Sequence, residues 1–296
     1  PFAPDWLLEA ASRWFTVQKT PCLQTAEAVI GEPALEALQN APRLRWLQMT
    51  WAGADRYLHG GFPRSVLLTT ASGAFGETIA EHAIGMLLSL CRRLPSYARQ
   101  KSWNDLGSER CVAGGTALIF GAGDLGGCIA HRLQAFGVKT FGVCRRTSPD
   151  RPGFDRLVRL DEAETLLPAA AFVLGAMPQS PETAGWLSAE RLALLPQDAV
   201  VVNVGRGSFL DADALARELQ SGHLFGAGLD VTDPEPLPAA HPLWSLPNCI
   251  LTPHVAGVSF GHLPQTEERI WRICAENLER YAAGDPLRNL VREIPL

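Results

Sequence analysis

Short apolar runs rich in β-branched and aromatic residues alternate along the chain with stretches whose apolar positions recur at helical spacing. The runs fall at 28–30 (AVI), 44–49 (LRWLQM), 65–70 (SVLLTT), 116–121 (TALIFG), 138–143 (VKTFGV), 171–177 (AFVLGAM), 199–205 (AVVVNVG) and 249–254 (CILTPH). Several are apolar throughout rather than alternating, which predicts parallel strands covered on both faces. Between them, 127–137 and 211–222 carry amphipathic helix patterns, the second with Asp211 as N-cap and Gly222 as C-cap. The longest such pattern covers 80–100, and another lies at 266–284, after the last strand. Alternating strand and helix predicts a doubly wound α/β architecture.

Composition narrows the class. The 296 residues are 47% apolar and 19% charged, with a mean hydropathy of +0.03, as in a globular protein of one large or two ordinary domains. The net charge of −5 is interspersed, which gives no positive field for nucleic acid or an anionic membrane. No run approaches the about 20 apolar residues of a bilayer span, and no secretory leader is read at the start. The seven cysteines (22, 91, 111, 128, 144, 249 and 274) form no CxxC and no metal-ligand spacing, so no metal is expected. Scattered and odd in number, they suit a reducing cytoplasm, the expected location.

Candidate chemistry begins where the strand at 116–121 runs into GAGDLG. Gly121, Gly123 and Gly126 stand there in G-x-G-x-x-G order, directly before a helix pattern. In that setting Gly121 permits the tight turn, Gly123 lets a pyrophosphate approach the backbone, and Gly126 lets helix pack on strand. The free N–H groups and positive dipole end of the helix would face the phosphates. At the tip of the next strand, about 20 residues on, an NAD(H) site would carry an acid for the ribose 2′-hydroxyl. Cys144 occupies that tip, followed by Arg145 and Arg146. A carboxylate would repel a 2′-phosphate, whereas a small thiol leaves room for one and guanidinium forks suit it. NADP(H) is therefore the expected cofactor, with NAD(H) as the alternative if both arginines are ordinary solvated side chains.

Further motifs lie downstream: Arg206 in NVGRG, Glu235 in DVTDPEP and His254 in TPHVAG. Together with WAGAD at 51–55, AEHAIGMLL at 80–88 and PLRNLV at 286–291, they make the chain resemble the D-isomer-specific 2-hydroxyacid dehydrogenases over nearly its whole length. TTASGAFGETIAEHAIG at 69–85 and the basic strand tip make it similar to their glyoxylate/hydroxypyruvate reductase branch. The resemblance implies a Rossmann cofactor domain at 93–262 and a discontinuous flavodoxin-like substrate domain at 1–92 and 263–296. It also implies a homodimer and a catalytic set of Arg206, Glu235 and His254. It extends the cofactor site to Ala122, Asp124, Leu125, Pro178, Thr183, Val204, Gly205, Asp230 and Gly257. The substrate carboxylate is expected at the backbone N–H groups of Ala52 and Gly53, with Trp51 walling the pocket. The remaining histidines (59, 82, 131, 223, 241 and 262) match no site motif and are read as structural.

The residue types suit the chemistry. Reducing a 2-oxo acid requires a cation for its carboxylate, a proton donor for the carbonyl oxygen and a hydride source. Arg206 offers a bidentate guanidinium, and His254 can act as general acid in reduction and general base in oxidation. Glu235, accepting from the other ring nitrogen, would favour the imidazolium and fix the ring. The expected activity is NADPH-dependent reduction of glyoxylate or hydroxypyruvate to the D-2-hydroxy acid. Two rival readings keep the same residues: a dehydrogenase of another 2-hydroxy acid, of D-lactate or 3-phosphoglycerate type, and a dinucleotide-sensing protein like the C-terminal-binding-protein corepressors. The lack of charged or disordered extensions argues against the last.

Overall fold

The computed structural model describes residues 3–19, 22–58, 61–145 and 153–291. It comprises two compact units, Pro1–Phe75 with Val258–Leu296, and Gly76–Gly257. The first opens with α1 (Asp5–Ser12), β1 (Ala28–Ile30), α2 (Leu35–Gln39), β2 (Trp46–Gln48), α3 (Asp55–Leu58) and β3 (Leu67–Thr69). Its three strands pair in parallel in the order β1-β2-β3, with Val29 opposite Leu47 and Leu47 opposite Leu68. Leu38, Leu47, Met49, Tyr57 and Leu68 form its core.

The second unit continues with α4 (Gly76–Cys91), α5 (Leu94–Arg99), β4 (Thr116–Phe120), α6 (Asp124–Ala135), β5 (Lys139–Cys144) and β6 (Arg156–Arg159). There follow β7 (Phe172–Gly175), α7 (Ala189–Ala193), β8 (Val200–Asn203), α8 (Ala212–Ser221), β9 (Gly226–Leu229) and β10 (Cys249–Leu251). The sheet order is β10-β9-β8-β7-β4-β5-β6, and each of these pairings is parallel. Continuously apolar strands fill both faces. Ala117, Ile119, Phe172, Leu174, Val200 and Val202 point to one side; Leu118, Phe120, Val173, Val201, Ala227 and Leu229 point to the other. Strand order reverses between β4 and β7, and a doubly wound sheet binds ligands outside the carboxyl ends of its strands at such a point.

Both expected helix caps form on α8. Asp211 Oδ1 accepts from Ala214 N at 2.8 Å, and Gly222 takes the left-handed conformation at φ +76°. The single helix expected over 80–100 is two. Pro95 has no N–H to give to the Cys91 carbonyl, so α4 ends and Arg93 turns left-handed at φ +51°; the Arg110 N–H takes the Cys91 carbonyl instead, at 2.8 Å. By packing, α4 belongs to the second unit, where Ala80, Ala83, Leu87 and Cys91 share a core with Ile119 and Ile129. The units therefore divide at 75/76 and 257/258, against the expected 92/93 and 262/263. Helix α9 (Pro264–Ala283) completes the first unit and packs on α1. There Asn277 Nδ2 donates to the buried Gln48 side chain on β2 at 2.7 Å.

Candidate active site

Carboxyl ends of the parallel strands carry almost every residue expected to act in the second unit. After β4, the glycine loop turns into α6. Gly121 adopts φ +112°, and a Cβ there would lie 2.6 Å from the Ala176 carbonyl oxygen. At Gly126 a Cβ would lie 1.7 Å from the Gly121 oxygen, so only glycine lets the helix meet its own turn. Gly123 has no heavy atom within 4 Å of the corresponding point. It leaves open backbone at the start of a 12-residue helix, where the N-cap glycine has no side chain to close the first turn. Two closed glycines and one open one fit a pyrophosphate cradle, as the motif requires. Ala122 is buried, Leu125 half-buried and Asp124 exposed in the first turn of α6.

At the β5 tip the structure refines the expectation. The strand runs one residue further than the apolar pattern, so Cys144 is its last residue; it is buried, with Sγ 3.7 Å from the Val158 carbonyl on β6. Its thiol is turned to the neighbouring strand. Arg145 follows and is exposed, whereas Arg146 lies outside the described residues. The Ser180 hydroxyl, with a smaller contribution from Arg145, holds the Glu182 carboxyl below the usual carboxylate range. Arg145 thus has an acidic neighbour on the loop after β7. On that loop Pro178 is exposed, and the buried Thr183 turns its hydroxyl inward, within 2.9 Å of the Ser180 N–H.

Arg206 follows β8. The buried Asn203 side chain bonds on both sides of it, donating to the Arg206 carbonyl at 2.8 Å and accepting from the Gly205 N–H at 3.2 Å. Val204 is buried, and a Cβ at Gly205 would meet the Met177 carbonyl oxygen at 2.8 Å. Arg206 Nη1 donates to the Gly205 carbonyl at 2.8 Å. A Cβ on Gly207 would lie 2.0 Å from the Thr232 carbonyl, so the loop after β8 presses directly on the loop that leads to Glu235.

Glu235 and His254 meet. Glu235 Oε2 lies 3.0 Å from His254 Nδ1, while its Oε1 accepts from the Thr232 N–H at 3.2 Å. The two side chains are 42% and 48% exposed, open enough for a ligand to reach the ring. With Nδ1–H given to a carboxylate, Nε2 is the nitrogen left to gain or lose a proton. His254 stands at φ +53°, which non-glycine residues rarely adopt. Its N–H holds it there by donating to the carbonyls of Asp230 (2.8 Å) and Thr252 (3.0 Å).

Asp230, expected beside the cofactor, is 2% exposed and turned into its own loop. Its Oδ1 accepts from Thr252 Oγ1 at 2.5 Å and from Val255 N at 2.9 Å, and its Oδ2 from Ala256 N at 3.0 Å. Gly257, half-buried, closes this turn. Two residues outside the expected site join the cluster: Thr252, and His82 on α4, one of the histidines read as structural, whose Nε2 lies 3.0 Å from Thr252 Oγ1 and 3.7 Å from Asp230 Oδ1. No spacing signal links positions so far apart in the chain.

Trp51, Ala52 and Gly53 belong to the first unit. Trp51 is exposed, and its carbonyl accepts from Ala71 N at 2.9 Å. Glu32 anchors the segment by accepting from the Thr50 N–H at 2.6 Å. Among the described residues no group of histidines, cysteines and carboxylates could hold a metal ion, and no helix is long and apolar enough to cross a membrane. All seven cysteines are free thiols. Burial pushes Cys91 up to about 11 and Cys249 and Cys274 up to about 12, so these three are core residues rather than nucleophiles.

A sheet of this order with a glycine cradle at its reversal point defines a dinucleotide-binding domain, and its strand ends add a histidine–carboxylate pair. Residues 84–256 match the model of the D-isomer specific 2-hydroxyacid dehydrogenase NAD-binding domain. A glyoxylate reductase of Korarchaeum cryptofilum is 31% identical over 271 residues, 87% of this chain and 79% of that protein. Among solved structures, a D-isomer specific 2-hydroxyacid dehydrogenase family protein from Aeromonas salmonicida is 35% identical with a TM-score of 0.81, covering 91% of this chain and 86% of its own. A D-isomer specific 2-hydroxyacid dehydrogenase from Xanthobacter autotrophicus, solved with NADPH and MES, is 29% identical with a TM-score of 0.79, covering 93% and 86%. The chain belongs to the D-isomer-specific 2-hydroxyacid dehydrogenase family. It is an NAD(P)-dependent oxidoreductase, with a nicotinamide dinucleotide as cofactor and a small 2-hydroxy or 2-oxo acid as substrate class.

Proposed function

We propose that this enzyme reduces glyoxylate or hydroxypyruvate to the D-2-hydroxy acid with NADPH, as a cytoplasmic homodimer. The observation that carries the catalytic part is the 3.0 Å bond between Glu235 and His254 Nδ1. The bound dinucleotide supplies the hydride. Arg206 holds the substrate carboxylate with its guanidinium fork. His254 gives the proton on Nε2 to the carbonyl oxygen, and Glu235 keeps the ring in the orientation that presents it. Ala52 and Gly53 contribute backbone N–H groups to the carboxylate, and Trp51 limits the substituent on C2.

The NADPH preference is supported by the absence of an acid at the β5 tip, where Cys144 stands, and by Arg145 directly after it. Glu182, whose carboxylate feels the charge of Arg145, works against it by partly offsetting that charge. The substrate choice is supported by the named activity of the Korarchaeum relative. The fully exposed Trp103, in the irregular run after α5, supports a partner-covered surface there.

A panel of 2-oxo acids assayed with NADPH and NADH tests the reading, with light scattering for the oligomer. NADPH should give the higher kcat/KM, and Arg145→Asp should impair its use far more than that of NADH. Glyoxylate and hydroxypyruvate should outperform phenylpyruvate, and Trp51→Ala should narrow that gap. Equal kcat/KM for the two cofactors would overturn the NADPH assignment, and preference for aromatic or branched acids would overturn the substrate assignment.

A further inference from the structure

Strand β9 reads GAGL, and its two glycines have a shared consequence. A Cβ at Gly226 would lie 3.0 Å from Leu90 Cδ2, and one at Gly228 would lie 3.0 Å from Met86 Cβ and Sδ. Helix α4 therefore lies in a groove cut by these glycines, with Leu90 over position 226 and Met86 over position 228. Four helical residues advance about 6.0 Å and two strand residues about 6.6 Å, so the two repeats keep step. The next pair in this register is His82 over Asp230, and the side chains meet there: His82 Nε2 is 3.7 Å from Asp230 Oδ1 and 3.0 Å from Thr252 Oγ1.

The proton count fixes the direction of these bonds. The Thr252 hydroxyl has one proton, and at 2.5 Å from Asp230 Oδ1 it gives that proton to the carboxylate. Its oxygen then accepts from His82, which carries its proton on Nε2. Asp230 in turn gathers the N–H groups of Val255 and Ala256, the two residues after His254. The chain of bonds runs from His82 through Thr252 and Asp230 to the turn that holds His254 at φ +53°.

We propose that His82 is a positioning residue for the reaction, acting through Thr252 and Asp230 to hold the His254 turn in its strained conformation. The proposal rests on the dehydrogenase reading with His254 as proton donor, and its test separates the two. Three variants are used: His82→Leu removes the donor, His82→Gln places an amide nitrogen at the same reach from Cβ, and Thr252→Val removes the intermediate hydroxyl. In the ligand-free protein, hydrogen exchange over residues 252–257 should quicken in His82→Leu and Thr252→Val and stay near parental in His82→Gln. In turnover, His82→Leu should lower kcat about tenfold, the scale of one lost hydrogen bond, with the cofactor dissociation constant changed less than about twofold. His82→Gln should recover most of that kcat. The His82→Leu/Thr252→Val double variant should fall no lower than the worse single, since both cut one chain.

Parental exchange and kcat in His82→Leu would overturn the proposal. So would additive losses in the double variant, or equal damage from leucine and glutamine. If the parent reduces no 2-oxo acid, the functional reading fails, while exchange in the ligand-free variants still decides the role of His82. If His82→Leu does not fold, Thr252→Val against His82→Gln gives the same decision.

Discussion

Replacing Asp230 by Asn changes one oxygen to an NH2 group at a site 2% exposed, and its cost can be worked from three bonds. Oδ1 accepts from the Thr252 hydroxyl and the Val255 N–H, and Oδ2 from the Ala256 N–H. With the amide oxygen in the Oδ1 position, two bonds survive but lose their ionised acceptor, costing about 1 kcal/mol each. The new NH2 group then faces the N–H of Ala256, itself buried, and neither donor has a partner; that adds about 1–3 kcal/mol. The opposite amide orientation is worse, because it faces two donors instead of one. The total is about 3–5 kcal/mol. A unit of this size loses about 2–4 °C of midpoint per kcal/mol, so Asp230→Asn should lower its thermal midpoint by about 6–20 °C. Circular dichroism on parent and variant at neutral pH measures the shift. A midpoint within about 2 °C of the parent would refute the bond accounting, and with it the claim that this carboxylate holds the turn.

Further outcomes follow from the same geometry. His254→Ala should lower kcat about 10²–10⁴-fold, the range for a lost general acid, with cofactor binding retained; full activity would remove His254 from the reaction. Gly126→Ala sets a methyl 1.7 Å from a backbone oxygen that cannot retreat, so the cradle must open and cofactor affinity should fall more than about tenfold in a fluorescence titration. Asp211→Ala deletes the 2.8 Å cap of α8 and should cost about 1 kcal/mol in urea unfolding without touching KM.

Legibility in the sequence followed the density of apolar side chains. Strands such as β4 and β8, apolar at nearly every position, stand out, as does the glycine loop between β4 and α6. Two strands do not. Arg156–Arg159 is half polar because its strand is at the sheet edge, and Gly226–Leu229 offers few side chains because it makes room for α4. The break in the 80–100 pattern was present in Pro95, but the pattern's length outweighed it. At the site, Arg206, Glu235 and His254 were readable as motifs, each sitting in a short local run. His82 was not, since its role arises from the register of a helix on a strand. Cys144 was placed at the right tip, yet the direction of its thiol depends on β6, the strand that was missed.

The sheet order has a consequence for how this enzyme can be altered. Groups that would discriminate between dinucleotides follow β5, while Arg206, Glu235 and His254 follow β8, β9 and β10. From β5 to β10 there are five strand intervals, or about 24 Å at the usual spacing. In the ligand-free protein, side chains that far apart touch no common neighbours, so their effects on folding stability add. A change made after β5 to exchange one dinucleotide for the other can therefore be combined with a change at the histidine end, and the stability cost of the pair should be the sum of the two single costs.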